Sequence, residues 1–219
     1  MLAADRLRVC CLFPVVLMLE TRDAGDSVNP ISKEEWRSRV LTRRRAVDAV
    51  VHAEESLKLC HAAAELARGA TAVAAYVPVG SEPGSLDLLD ALKSVSPTVL
   101  VPIAREPGPL HWAEYTGRGS LRAAPYGLSE PTGPILGPES VTRCEVVFVP
   151  ALAVDFRGVR LGRGAGFYDR TLDLVAPGIP IVAVVRDGEL VEELPEEQHD
   201  RRASHALTPN RGSVALTRE

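Results

Sequence analysis

Two spacings of apolar residues alternate along this chain and divide it into helical and extended segments. From Ser32 onward apolar positions recur at helical intervals, and Ser32 followed three residues later by Glu35 fits a capping box that opens a helix. Helical composition runs to about Ala67, where Gly69 can stop it, with a break expected near residues 48–52. Residues 71–77 form a short apolar run ended by Pro78, which predicts a buried strand. Leu86, Leu89 and Leu92 then return to helical spacing over residues 85–93. Residues 98–103 predict a second strand and residues 110–115 an edge strand. Glycines and prolines cluster through residues 117–140, the pattern of a long surface excursion. Strands are predicted again at 145–149 and 179–185, with a helix over 167–175 between them. Strands alternating with helices imply an α/β fold with one parallel or mixed sheet covered by helices.

Composition narrows the class. The 219 residues suit one α/β domain, and 46% hydrophobic with 25% charged residues is an ordinary globular balance. A net charge of -4 gives no global field that would recruit nucleic acid. Cys10, Cys11, Cys60 and Cys144 show no CxxC spacing and no accompanying His cluster, so neither a disulfide framework nor a zinc site is expected. Residues 9–19 form an apolar run broken by Pro14, shorter than the roughly 20 residues a membrane span needs. Arg6 and Arg8 precede it as in a secretion signal, but no small-x-small cleavage site follows. Residues 1–30 are therefore expected to be a dispensable extension of a single domain over 31–219. That domain is expected to be cytoplasmic and monomeric.

Four segments carry candidate chemistry. In Arg160-Leu161-Gly162-Arg163-Gly164-Ala165-Gly166-Phe167-Tyr168-Asp169, glycines alternate just before a predicted helix. Glycine allows positive φ and close approach of a ligand to the main chain, and successive N–H groups can form a nest for phosphate oxygens. Arg160 and Arg163 add charge, and Asp169 offers a hard oxygen ligand. The loop is neither a Walker A nor a Rossmann fingerprint. By itself the pattern fits a tight strand-to-helix turn as well as a phosphate site. On the first helix Lys33, Arg37 and Arg44 fall within roughly 40° of one another, beside an apolar stripe of Trp36, Val40 and Val47. Such a row suits a polyanion held between helix and domain, or an ordinary basic surface. Val77 and Glu82 follow a strand end, where open α/β sheets bind ligands. Asp200 closes an acidic segment whose other charges suit a solvated face.

Taken together, these segments resemble the 5-formyltetrahydrofolate cyclo-ligase family. The Lys33-x-x-x-Arg37 helix with Arg44, the Tyr76 to Glu82 turn, Tyr126-Gly-Leu-Ser-Glu-Pro131, Val149-Pro-Ala-Leu-Ala-Val-Asp155, the Arg160 to Arg170 element, Leu194-Pro-x-x-x-His-Asp200 and Leu207-Thr-Pro come in the family's order. The resemblance covers about residues 32–210. It implies a three-layer α/β sandwich related to sugar-phosphate isomerases and CoA transferases. It implies ATP contacts from Lys33, Arg37, Arg44 and the run Arg160, Leu161, Gly162, Arg163, Gly164, Ala165, Gly166, Phe167 and Tyr168, with Arg163 and Tyr168 closest to the chemistry. Val77, Glu82 and the residues from Arg163 to Phe167 would line a folate site, and Asp169 and Asp200 would hold Mg2+. Phe167 stands where the family commonly has tyrosine and Ser85 where it has threonine.

The reaction implied is ATP-dependent closure of 5-formyltetrahydrofolate to 5,10-methenyltetrahydrofolate through a phosphorylated formyl oxygen, with release of ADP and phosphate. No partner beyond small molecules is implied: no nucleic acid and no membrane. A sugar-phosphate isomerase or CoA transferase would need a carboxylate poised for proton abstraction or acyl attack. A ligand sensor would need a further domain.

Overall fold

The computed structural model describes residues 31–105, 108–123 and 129–217. The extension expected at 1–30 lies outside them, as do Tyr126, Gly127 and Leu128 of the Tyr126 to Pro131 segment. The first helical stretch is two helices, α1 (Lys33–Arg45) and α2 (Ala49–Leu66). Ser32 caps α1 by accepting from the Glu35 N–H at 3.2 Å. The Glu35 carboxylate turns to Arg39 instead of reaching back, so half of the capping box forms. Glu34 and Glu35 in the first turn and Arg43, Arg44 and Arg45 in the last complement the helix dipole. The break falls where expected because Asp48 caps α2, accepting from Val50 N–H at 2.8 Å. Val47 thus lies past the end of α1 and does not join its apolar stripe.

The central sheet has seven strands: β1 (Ala72–Ala75), β2 (Thr98–Ile103), β3 (His111–Glu114), β6 (Val146–Pro150), β9 (Ile181–Val184), β11 (His205–Thr208) and β12 (Gly212–Ala215). Their order is β12-β11-β9-β6-β1-β2-β3. The five inner strands run parallel, with Val73 beside both Val99 and Val146. β3 and β12 close the two edges antiparallel. Period-two alternation sends Val73 and Ala75 to one face and Ala72 and Ala74 to the other. On the first face α2 and α3 (Leu86–Val95) supply Leu59, Ala63, Leu88 and Leu92, which pack with Phe148 and Val182.

The opposite face carries a mixed layer. Leu172 of α4 (Phe167–Leu172), Val154 of β7 (Ala153–Asp155) and Leu190 of β10 (Leu190–Val191) pack against Val147, Val149 and Ala183. β10, β7 and β8 (Arg160–Leu161) form a small sheet, and α1 sits on it through Val40 and Trp36. The sandwich is therefore three-layered, but one outer layer is built of short strands as well as a helix. The glycine-rich excursion holds a small hairpin, β4 (Leu121–Ala123) with β5 (Ser129–Pro131). No helix among the described residues is long and apolar enough to cross a membrane.

One buried carboxylate organises the small sheet. Asp155 has no solvent exposure. Its Oδ1 accepts from Arg157 N–H at 3.0 Å and Val159 N–H at 2.9 Å, and its Oδ2 from Leu194 N–H at 3.1 Å and the Arg157 guanidinium at 2.8 Å. With both oxygens saturated, Asp155 is a structural residue. Gly158 turns the same corner at φ +88°, where a Cβ would lie 2.2 Å from the Ala203 carbonyl oxygen, so only glycine fits. Asp155→Ala leaves the buried N–H groups of Val159 and Leu194 without their acceptor, at about 1–3 kcal/mol for each unsatisfied donor. Urea unfolding of the variant should show that loss, and a change under about 1 kcal/mol would contradict the role given to Asp155.

Candidate active site

The chain leaves β1 toward β2 on one side, yet β6 pairs on the other side of β1. Connections that part at the carboxyl ends of neighbouring parallel strands leave a crevice there. A cleft of about 650 Å³ opens at this point. Tyr76, Val77 and Glu82 line it from the end of β1, and Pro150, Ala151 and Leu152 from the end of β6. Lys33, Arg37 and Arg44 reach it from α1, and each residue from Arg160 to Asp169, together with Asp200, completes the wall. The residues expected from the sequence to bind ATP, folate or metal thus share one cleft.

The glycine loop is held by its carbonyls. Arg37 Nε donates to Gly162 O at 3.0 Å, and Arg170 Nη2 to Ala165 O at 3.0 Å. Gly164 and Gly166 adopt φ of +98° and +70°, and the Arg37 guanidinium lies 3.5 Å from where a Gly164 Cβ would stand. Among the described residues none accepts from the backbone N–H groups of Gly164, Ala165 or Gly166. These donors remain for a ligand. So does Arg160 Nε, buried with no partner, although Nη2 of the same side chain bonds Asp169 Oδ1 at 2.6 Å. A buried guanidinium donor without an acceptor, beside free backbone N–H groups, fits a phosphate oxygen.

The cations divide into two kinds. Lys33 meets Asp200 Oδ2 at 2.7 Å and Glu197 Oε1 at 3.2 Å. Burial works against both charges of the Lys33–Asp200 pair, yet pairing holds Lys33 above its ordinary pKa and Asp200 below its own. Arg44 differs from the row expected on α1. It is buried and forked onto Glu189, with Nε–Oε1 and Nη2–Oε2 both at 2.7 Å, and Nη2 also donates to Ala151 O at 2.6 Å. Its donors support the cleft wall, whereas Lys33 and Arg37 stand at the opening.

Across the cleft Arg163 Nη2 lies 3.1 Å from Glu82 Oε1, joining the glycine loop to the strand-end turn. Glu82 Oε2 also accepts from Val79 N–H at 3.1 Å, and Gly80 turns the chain at φ +59°. Asp169 and Asp200 each keep one carboxylate oxygen free of hydrogen bonds within the protein. Among the described residues no group of three His, Cys, Asp or Glu side chains gathers as a ready metal site. Pro150, Ala151 and Leu152 were quoted in the sequence only as part of the Val149 to Asp155 segment and given no site role, although they stand at the end of an apolar strand, where the strand-end rule points. Glu197 and His199 line the cleft as well, from the segment read as a solvated face.

Free backbone donors, arginines and two carboxylates at the carboxyl edge of an α/β sheet define an enzyme that handles a phosphorylated ligand. Its lineage is equally plain. The chain belongs to the 5-formyltetrahydrofolate cyclo-ligase family, whose sequence profile matches residues 29–209. Members of this family cyclise 5-formyltetrahydrofolate to 5,10-methenyltetrahydrofolate at the expense of ATP. A 5-formyltetrahydrofolate cyclo-ligase of Mycolicibacterium smegmatis is 48% identical over 194 residues, covering 86% of this chain and 100% of the relative. One from Escherichia coli is 29% identical over 146 residues, 64% of this chain and 78% of its own. The structure of Aquifex aeolicus 5,10-methenyltetrahydrofolate synthetase matches with a TM-score of 0.66 at 24% identity, over 84% of this chain and 92% of that one. A 5,10-methenyltetrahydrofolate synthetase from Mycoplasma pneumoniae gives 0.63 at 16% identity, over 80% and 96%. At these identities the two structures establish the α/β sandwich alone.

Burial raises the phenol pKa of Tyr76, Tyr115 and Tyr168; Glu82 adds to the effect at Tyr76 and Tyr168, and Arg160 opposes it at Tyr168. A phenol raised by folding keeps its full stability contribution below the unfolded value of about 10 and loses it as pH rises. An ultraviolet titration of the folded protein should therefore show at most one of the four tyrosines ionising by about pH 11. Two or more tyrosinates before unfolding would contradict this packing.

Proposed function

We propose that residues 31–219 carry out the family's reaction with the cleft divided between its two substrates. ATP lies against Lys33, Arg37, Arg160 and the Gly162–Gly166 loop. The folate ring lies against Val77 and Glu82. The observation that carries this reading is the Arg163–Glu82 contact, because it brings the phosphate-compatible loop within bonding distance of the strand-end turn. A phosphoryl group and a formyl group held by those two segments would meet.

The formyl group on N5 is an amide, so its carbonyl carbon is a poor electrophile and its oxygen a poor leaving group. Transfer of the γ-phosphoryl group to that oxygen, with ADP leaving, makes a C–O bond that can break. N10 then attacks the formyl carbon, the ring closes, and the oxygen departs in inorganic phosphate as N10 loses its proton. Positioning and charge neutralisation dominate phosphoryl transfer. Arg163 and Arg160 neutralise charge on the transferring group, and the Tyr168 hydroxyl, which has no hydrogen-bond partner among the described residues, is available to the same oxygens. The ring closure is intramolecular, where effective molarities reach about 10⁵ M or more.

Magnesium fits the two free carboxylate oxygens of Asp169 and Asp200, since it commonly takes one or two carboxylates and fills its shell with phosphate oxygens and water. It would supply further charge neutralisation at the phosphates. Arg44 serves here as a support for the wall of the cleft rather than as a contact to ATP.

Glu82→Gln should weaken 5-formyltetrahydrofolate binding by roughly 10- to 150-fold, the range for a charged hydrogen bond of about 1.5–3 kcal/mol, with nucleotide binding little changed. Arg37→Ala should show the reverse. Calorimetric titration of both variants with both ligands checks this, and equal losses for the two ligands would reject the division of the cleft.

Asp169→Asn keeps an acceptor for Arg160 but removes the charge a metal needs. It should fold, bind folate, and lose most of its rate at saturating ATP, with the residual rate calling for more magnesium. Normal turnover of this variant at low magnesium would reject the metal assignment.

A further inference from the structure

Glu82 sits in a tight turn, and a turn of that kind holds a side chain in place only if its backbone is braced. Within the turn Glu82 N–H donates to Val79 O at 3.1 Å, and the Tyr76 hydroxyl donates to Pro83 O. Among the described residues, two hydrogen bonds reach the backbone of residues 78–84 from beyond this segment, that of Tyr76 just before it and one from far along the chain. Arg186 Nη1 donates to Ser81 O at 3.0 Å.

Arg186 is built as a bracket. It follows β9, whose carboxyl end lies beside that of β6. Its Nε bonds Glu55 Oε2 at 2.7 Å, and its Nη2 lies 2.9 Å from His52 Nδ1, both residues of α2. A guanidinium only donates, so His52 Nδ1 accepts and its ring is neutral. Burial and the Arg186 charge both lower the His52 pKa in that direction. The side chain is 9% exposed, and its planar fork fixes three acceptors at once. Its backbone N–H donates to Glu189 Oε2 at 2.8 Å, and Glu189 holds Arg44, which in turn holds Ala151 O. The chain of contacts thus runs from the lip carrying Glu82 to the lip carrying Ala151. Arg186, Glu55, His52 and Glu189 do not line the cleft.

We propose that Arg186 is a positioning residue for the folate side of the cleft, fixing the place of Glu82 by holding the carbonyl of the preceding residue. The proposal rests on the reading that Glu82 binds the folate ring. Arg186 touches no substrate and has no direct part in ATP binding.

Steady-state kinetics of the full-length chain test it. Arg186→Met should raise KM for 5-formyltetrahydrofolate roughly tenfold, the size of one charged hydrogen bond, and leave KM for ATP within about twofold. Arg186→Lys should fall between, because an ammonium cannot serve all three acceptors. The double variant Arg186→Met with Glu82→Gln should be no worse than Glu82→Gln alone by more than about twofold, since residues acting through one another are not additive.

An unchanged folate KM in folded Arg186→Met, an equal rise in both KM values, or fully multiplicative effects would overturn the proposal. If thermal melting shows that Arg186→Met does not fold, Glu55→Gln loosens the same bracket and should raise the folate KM about two- to fivefold; no rise overturns it. If Glu82→Gln itself leaves the folate KM unchanged, the folate assignment fails and the proposal falls with it. That case is told apart from failure of the bracket by the Glu82→Gln measurement alone.

Discussion

Parallel strands cannot be joined by a tight turn; the chain has to cross a face of the sheet before it pairs again. That constraint makes the cleft. β1 connects through α3 to β2 on its one side, and β6 arrives later on its other side. The two connections diverge above neighbouring strand ends, and nothing from the sheet itself can fill the gap. The sheet below is buried on both faces by small and β-branched residues such as Val73, Ala74 and Val147, so its upper edge is a rigid platform. The strand-end turn at Val77–Glu82 and the lip at Pro150–Leu152 are mounted on that edge, and the glycine loop, which follows β8 of the small sheet, faces the same cleft.

Charge pairing sets how this cleft meets a polyanion. Lys33 is matched by Asp200, Arg160 by Asp169, and Arg163 by Glu82. Each of these three cations has a carboxylate at bonding distance, which offsets repulsion within a crowded set of like charges, whereas Arg37 bonds the Gly162 carbonyl. Under the proposed assignment, a triphosphate with a divalent cation would offer each member a new partner of its preferred sign, phosphate for the cations and metal for Asp169 and Asp200. Binding would then be largely an exchange of ion pairs, with a net electrostatic gain smaller than the number of arginines suggests. Arg44 and Glu189 lie apart from that exchange: their side chains are 2% and 9% exposed and bound to each other by two hydrogen bonds.

The strongly apolar strands, the cap at Ser32, the break near residue 48 and the glycine loop were legible in the sequence because each is a local signal. Strands β7, β8, β10, β11 and β12 were not. They are two to four residues long, and His205–Thr208 and Gly212–Ala215 mix polar and small residues in a way that a loop would also show. The site followed the same rule. Its local motifs could be read, while the partners of its charges could not: Arg44 and Glu189 are 145 residues apart, and helical phase alone placed Arg44 in a row with Lys33 and Arg37. Asp155 ends a segment read for its resemblance, and only the donors converging on it from Arg157, Val159 and Leu194 reveal a structural carboxylate.

The corner at Asp155 to Gly158 also governs a segment far along the chain. Leu194 N–H is held by Asp155, and Ala203 N–H by Gly158 O at 2.8 Å. Residues 195–202 therefore leave from and return to the same corner, and Asp200 rides on this strap. Its middle residues, Glu196 to His199, are exposed, although Glu197 also meets Lys33 and Glu196 meets Arg202. Their number is another matter: the chain advances about 3.3–3.6 Å per residue, so one residue gained or lost between Leu194 and Asp200 would displace the carboxylate by more than the length of a hydrogen bond. In this strap, the count of residues sets where the carboxylate comes to rest.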